Sequence, residues 1–228
     1  MTGHTRALLA EGAGTFMFFF IGAGAIVATK GEDLVAVALA VAVSSFGALS
    51  GGHFNPAVTF GLAVASKHPW TRVLTYWAAQ AIGALVAGFA LRYAFEFDPT
   101  ALARTHIGTP GLGGGVTVLT ATVVEAVLTV FLLWAVFGTA VSPLAPRIAG
   151  FGIGLTVAAD ILVGGGITGA SMNPARWLGP AVAANFYDNW FVYIAGPLLG
   201  AALAGLSYRY VFAPPEDRVP ATPLAPRA

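Results

Sequence analysis

Ser50-Gly51-Gly52-His53-Phe54-Asn55-Pro56-Ala57 and Gly169-Ala170-Ser171-Met172-Asn173-Pro174-Ala175-Arg176 decide the fold, because each carries Asn-Pro-Ala after a Gly-containing approach inside a long apolar stretch. Proline in the first turn of a helix costs no hydrogen bond, since that N–H has no helical partner anyway, and asparagine just before it is a favoured N-cap. Each motif therefore predicts a helix start. The helices behind them, residues 55–65 and 173–184, would be about 15 Å long at ~1.5 Å per residue, half of a ~30 Å hydrocarbon core. Two half-helices predict one span split in two.

Composition places these helices in a bilayer. Apolar residues make up 57% of the chain and charged residues 9%, against roughly 25% charged in a soluble domain. There is no cysteine, which excludes disulfides, thiolate catalysis and Cys-ligated metals. The net charge of +1 defines no partner, and no nucleic acid, metal or cofactor is expected. No nucleophile and base, and no His, Asp or Glu cluster, marks the chain as an enzyme.

Six stretches are long enough to span, at 8–28, 34–50, 71–95, 116–137, 148–165 and 190–212. The first is read as a span and not a cleaved signal, although Ala23-Gly24-Ala25 has the form of a cleavage site. Its apolar run is too long, Glu11 interrupts it, and it has a counterpart later in the chain. That counterpart belongs to an internal repeat: Glu11 and Thr15 match Glu125 and Thr129 at a displacement of 114, Asn55 matches Asn173 at 118, and Gly83 and Gly88 match Gly200 and Gly205 at 117. Each half, about 6–95 and 116–212, holds three spans and one half-helix. Three crossings per half place the two copies in opposite orientations, so both half-helices can meet head to head at midplane.

Arg6, Lys67, Arg72, Arg147, Arg209, Arg218 and Arg227 fall on one side, against Lys30, Arg92 and Arg104 on the other. Both termini are therefore expected in the cytoplasm of a multi-pass plasma-membrane protein. Residues 1–212 form a single channel domain; 213–228 read as a Pro-rich, disordered tail. The long outer connection, 96–115, has the Gly and Pro content of either an ordered cap or a mobile loop.

Paired Asn-Pro-Ala motifs, a Glu-x-x-x-Thr in the first helix of each half, Ser50-Gly51-Gly52-His53 before the first motif and Arg176 after the second resemble the aquaporin, or major intrinsic protein, family over residues 8–212. The resemblance implies an all-α membrane protein: a right-handed bundle of six transmembrane helices plus two re-entrant half-helices, one pore per subunit, and a homotetramer. Elementary electrostatics leads to the same mechanism. Two half-helix N-termini, each with about half a positive charge, would face the pore centre and oppose cations and protons. The Asn55 and Asn173 side chains can donate N–H bonds to a passing oxygen.

Arg176 carries a charge just beyond midplane, so it must line a wet pathway and be held by backbone carbonyls, for which segment 164–170 is the expected supplier. Its predicted role is to repel cations and donate to neutral solutes. Glu11 and Glu125 are expected to face inward as acceptors for the loop N–H groups left by each half-helix, bracing the loops as in the family they resemble. His53 would line the cytoplasmic vestibule in that family. Asp160 is expected to accept from loop groups near the outer mouth. Gly83, Gly88, Gly200 and Gly205 predict close helix contacts.

In aquaporins the narrowest ring takes one residue each from the second span, the fifth span and the second re-entrant loop, together with the Arg. Counted without gaps at the family's spacing, these are Val35, Ile161, Ala170 and Arg176. Water-selective members have an aromatic and a His at the first two places. Glycerol facilitators have two aromatics and an Asp after the Arg, where this chain has Trp177. Gly169-Ala170-Ser171-Met172, Leu178-Gly179-Pro180 and Asp160 resemble the nodulin-26-like branch and its bacterial relatives. The expected function is a passive channel for small uncharged solutes (glycerol, urea, boric acid or arsenite-type hydroxides), with water as a co-permeant. A water-selective channel is the alternative, and an alternating-access carrier the more distant one.

Overall fold

The computed structural model describes residues 2–31, 50–146 and 148–215. The described helices are α1 (Gly3–Ala28), α2 (Pro56–Val64), α3 (Trp70–Ala94), α4 (Pro99–Thr105), α5 (Val118–Val136), α6 (Ala149–Thr168), α7 (Pro174–Ala184) and α8 (Val192–Ser207). Helices α1, α3, α5, α6 and α8 correspond to five of the six expected spans. The other, at 34–50, lies outside the described residues except for Ser50. Four of the described helices are long and apolar enough to cross a membrane: Gly3–Ala28, Trp70–Ala94, Val118–Val141 and Gly150–Thr168.

The repeat is visible in local chemistry. The first helix of each half starts on a threonine cap, with Thr2 Oγ1 accepting from Thr5 N at 3.2 Å and Thr117 Oγ1 from Thr120 N at 3.1 Å. Within the second half, both α5 and α8 end in one π-helical turn, Phe137–Val141 and Tyr208–Phe212, which their first-half counterparts lack. The rings of Phe137 and Tyr208 stack at 4.2 Å and 7°, joining the two turns.

Packing follows the same symmetry: α1 lies along α3 and α5 along α8, while α3 packs on the second half's α7 and α8 on the first half's α2. The four glycines expected at helix contacts are where backbones approach. A Cβ on Gly83 would collide with the Gly12 carbonyl, on Gly88 with that of Gly179, on Gly200 with that of Ala126, and on Gly205 it would press on Gly61 and Val64. Without a hydrophobic driving force between helices in lipid, such close approach supplies the van der Waals contact that holds the bundle.

The outer connection is an ordered cap. Asp98 Oδ1 accepts from Ala101 N at 3.0 Å to start α4. Beyond it, His106 stacks on Phe186 at 3.9 Å, and Ile107 is buried.

Candidate functional site

The site begins with two helix starts built alike. Asn55 (φ −156°, ψ 119°) caps α2 and accepts from Ala57 N at 2.8 Å. Asn173 (φ −154°, ψ 111°) caps α7 and accepts from Ala175 N at 3.0 Å and Arg176 N at 3.3 Å. Each side-chain amide then crosses to the opposite loop: Asn55 Nδ2 donates to Met172 O at 2.9 Å, and Asn173 Nδ2 to Phe54 O at 3.0 Å. The two half-helices therefore meet N-terminus to N-terminus. An amide nitrogen has two hydrogens, so each asparagine keeps one donor beyond its structural bond.

Reaching that geometry takes backbone in the left-handed region at equivalent places, Gly51 and Gly169, Gly52 and Ala170, Phe54 and Met172. Three of these are not glycine, and such residues cost roughly 1 kcal/mol or more each.

Buried carboxylates hold the strained loops. Glu11 Oε1 accepts from His53 N at 3.0 Å, and its Oε2 accepts from Phe54 N at 2.8 Å and Gln80 Nε2 at 2.6 Å. Glu125 Oε1 accepts from Thr168 Oγ1 at 2.7 Å and Ser171 N at 2.8 Å, and its Oε2 from Met172 N at 2.6 Å. Both side chains are 0% exposed. A tyrosine pins each loop from behind: Tyr76 Oη donates to Ser50 O at 3.1 Å and Tyr193 Oη to Thr168 O at 2.9 Å. These tyrosines, with Gln80 and Thr168, were not singled out from the sequence. The Tyr76/Tyr193 pair was within reach, since it shares the displacement of 117 that relates Gly83 to Gly200.

Two cavities share the asparagine pair. The larger, about 1000 Å³, is lined by His53, Asn55, Lys67, Val157 and Asn173, among others. The smaller, about 30 Å³, is bounded by Phe18, Gly22, Asn55, Ile161, Asn173 and Arg176, among others. The structure thus brings Ile161 and Arg176 to one narrow place beside the asparagines. Ala170 is fully buried and absent from that lining; its methyl turns toward Gly164, where a missing Cβ leaves room. Val35 lies outside the described residues.

Two expectations are corrected. Segment 164–170 does not hold the Arg176 guanidinium, whose Nη1 is buried without a hydrogen-bond partner. The segment is helical through Thr168, and three of its carbonyls have other partners: Gly165 O takes Gly169 N, Ile167 O takes Gly113 N, and Thr168 O takes Tyr193 Oη. Asp160 accepts nothing from the outer loop either. It is 3% exposed with Oδ2 unpartnered, because the loop donors at Thr168, Ser171 and Met172 already converge on Glu125.

On the cytoplasmic side, His53 packs edge-on against His68 at 4.9 Å, and Tyr76 lies 5.2 Å from the former and 4.6 Å from the latter. His68, in the connection outside the spans, has its pKa pushed down to about 4 by burial first, then by His53, Arg72 and His4.

An inverted pair of half-helices meeting between two cavities, inside a bundle of apolar spans, defines a multi-pass membrane channel. The chain belongs to the major intrinsic protein family, whose sequence pattern matches residues 2–208; it is a channel and not an enzyme. Its relatives include "Aquaporin TIP4-4" of Zea mays, 42% identical over 92% of this chain and 88% of that one. "Aquaporin TIP2-1" of Arabidopsis thaliana is 40% identical over 94% and 90%. The aquaglyceroporin structure from Plasmodium falciparum superimposes with a TM-score of 0.82 over 95% of this chain and 100% of that one; at 23% identity it speaks for the fold.

Proposed function

We propose that the chain is a passive pore for small uncharged molecules, water together with compact hydroxylated solutes such as glycerol, urea, boric acid or arsenous acid, closed to ions and protons. One observation carries this reading: Asn55 and Asn173 border both cavities at once, so a molecule passing between them meets the free amide donor of each. Arg176 sits beside them and opposes cations. Arg176 borders the smaller cavity, where a guanidinium, which only donates, can give a hydrogen bond to a permeant oxygen. Val35, Ile161, Ala170 and Arg176 are the proposed selectivity ring. Aliphatic at three of four places, it favours compact neutral molecules over hydrated ions.

A water-selective pore is the second reading. The smaller cavity is narrow, about 30 Å³, and the relatives above are named aquaporins. The excess of basic residues on one side supports both termini in the cytoplasm, and the plasma membrane and a homotetramer complete the proposal. Stopped-flow light scattering of proteoliposomes, challenged in turn with sucrose, glycerol, urea and neutral boric or arsenous acid, tests it. Shrinkage under sucrose followed by solute-driven reswelling is expected; shrinkage without reswelling in any solute would leave the water-selective reading.

A further inference from the structure

Half-symmetry breaks at one polar side chain facing the larger cavity: the first loop has His53 where the second has Ser171. His53 Nδ1 lies 3.1 Å from Thr59 Oγ1. That hydroxyl already accepts from Gln80 Nε2 at 2.9 Å and stands 3.1 Å from Asn55 O. Gln80 is oriented by Glu11, because its Nε2 also donates to Glu11 Oε2 at 2.6 Å, and a carboxylate accepts.

A threonine hydroxyl has one proton and two lone pairs, which leaves two arrangements. If the proton goes to His53 Nδ1, Asn55 O receives nothing from the hydroxyl and one hydrogen bond forms at this corner. If it goes to Asn55 O, His53 Nδ1–H can donate into the second lone pair, and two form. Thr59 is 0% exposed, and a buried polar group satisfied twice wins over one satisfied once.

We propose that the chain Glu11–Gln80–Thr59 fixes His53 with its proton on Nδ1, so that bare Nε2 is a pure hydrogen-bond acceptor in the cytoplasmic vestibule. That nitrogen is turned toward Gly51, 3.0 Å from where a Cβ would stand there. The inference rests on the pore reading above. It adds a polarity to it: a molecule gives a hydrogen at His53 and takes one at Asn55 and Asn173. Molecules with both a donor and an acceptor suit this order; a bare cation finds a nitrogen lone pair at the vestibule but only donors at midplane. His53 is thus a specificity-determining residue, and Gln80 and Thr59 are its positioning residues.

Nitrogen-15 NMR of histidine-labelled protein in liposomes tests the assignment, with His53→Gln identifying the resonance among the four histidines. The expected spectrum at neutral pH has His53 protonated at Nδ1 and bare at Nε2. Thr59→Val should shift it toward protonated Nε2, and Thr59→Ser, which restores the hydroxyl, should restore the wild-type spectrum. A wild-type His53 protonated at Nε2, or a spectrum indifferent to Thr59→Val, would overturn the proposal. In flux measurements His53→Phe should lower water permeability roughly two- to tenfold, the worth of one hydrogen bond. His53→Gln, which returns an acceptor, should lose less. Equal flux in wild type and His53→Phe would overturn the role in permeation. A wild type that conducts nothing would refute the pore reading instead, and the spectrum would still decide the tautomer.

Discussion

Replacing Glu125 by leucine removes the acceptor on which the second loop turns. Three donors converge on this carboxylate, from Thr168 Oγ1, Ser171 N and Met172 N. The hydroxyl can turn to Gly164 O, 3.5 Å away, but the two backbone N–H groups have nowhere to go. A buried donor left unmet costs ~1–3 kcal/mol, so Glu125→Leu should destabilise by about 2–6 kcal/mol, a large part of a total of roughly 5–15 kcal/mol. At ~2–4 °C per kcal/mol for a chain of this size, the melting temperature in detergent should fall by about 4–24 °C. Glu125→Gln, which keeps one oxygen and turns an NH2 toward one former donor, should lose about half as much. Hydrogen–deuterium exchange locates the effect: the Ser171 and Met172 amides should exchange faster in Glu125→Leu while the α1–α3 contact stays protected. Unchanged melting together with slow exchange at 171 and 172 would refute the bracing argument.

Asn55→Ala or Asn173→Ala removes one free donor and one cross-loop bond, so water permeability should fall or ion leakage rise, by conductance, in protein that still inserts. Wild-type values in both would reduce the asparagines to helix caps. Arg176→Val should keep neutral flux and raise proton leakage, followed with a pH-sensitive dye. Gly88→Val forces a side chain into the Gly179 carbonyl and should cost ~1–3 kcal/mol or more, seen as lower yield of folded protein, whereas Gly111, with nothing near it, should tolerate alanine. His68 has its folded pKa depressed to about 4 from an ordinary value near ~6.5. Its neutral form therefore contributes stability that is full above about pH 6.5 and is lost as pH falls toward about 4. Exchange in the α2–α3 connection should accelerate across that window, and His68→Phe should reduce the response.

Much of this architecture was legible because its determinants are local or repeated. Asn55-Pro56 and Asn173-Pro174 announce helix starts through cap chemistry alone, and Glu11 and Glu125 follow from asking where a re-entrant loop sends its N–H groups. The errors have equally specific origins. Segment 164–170 is expected to offer free carbonyls because its three consecutive glycines, Gly164-Gly165-Gly166, each weaken a helix by ~1 kcal/mol. Yet α6 runs through it, because a Cβ on Gly164 would collide with Leu128 Cδ1 and packing overrides propensity. With the segment helical, Gly165 O, Ile167 O and Thr168 O go to Gly169 N, Gly113 N and Tyr193 Oη rather than to Arg176. Gln80 was invisible for another reason: its partners Glu11 and Thr59 lie 69 and 21 positions away, and its repeat-mate position holds Pro197, so neither periodicity nor symmetry marks it.

The central claim, that two half-helices meeting at Asn55 and Asn173 leave one continuous pore for small neutral molecules, is tested most directly by flux against gradient. In proteoliposomes of wild-type protein, water and neutral-solute flux should rise linearly with the imposed gradient while proton conductance stays at the level of empty vesicles. Flux that saturates at a low solute concentration would contradict the account and point to alternating access, and proton current accompanying the water would contradict it as well.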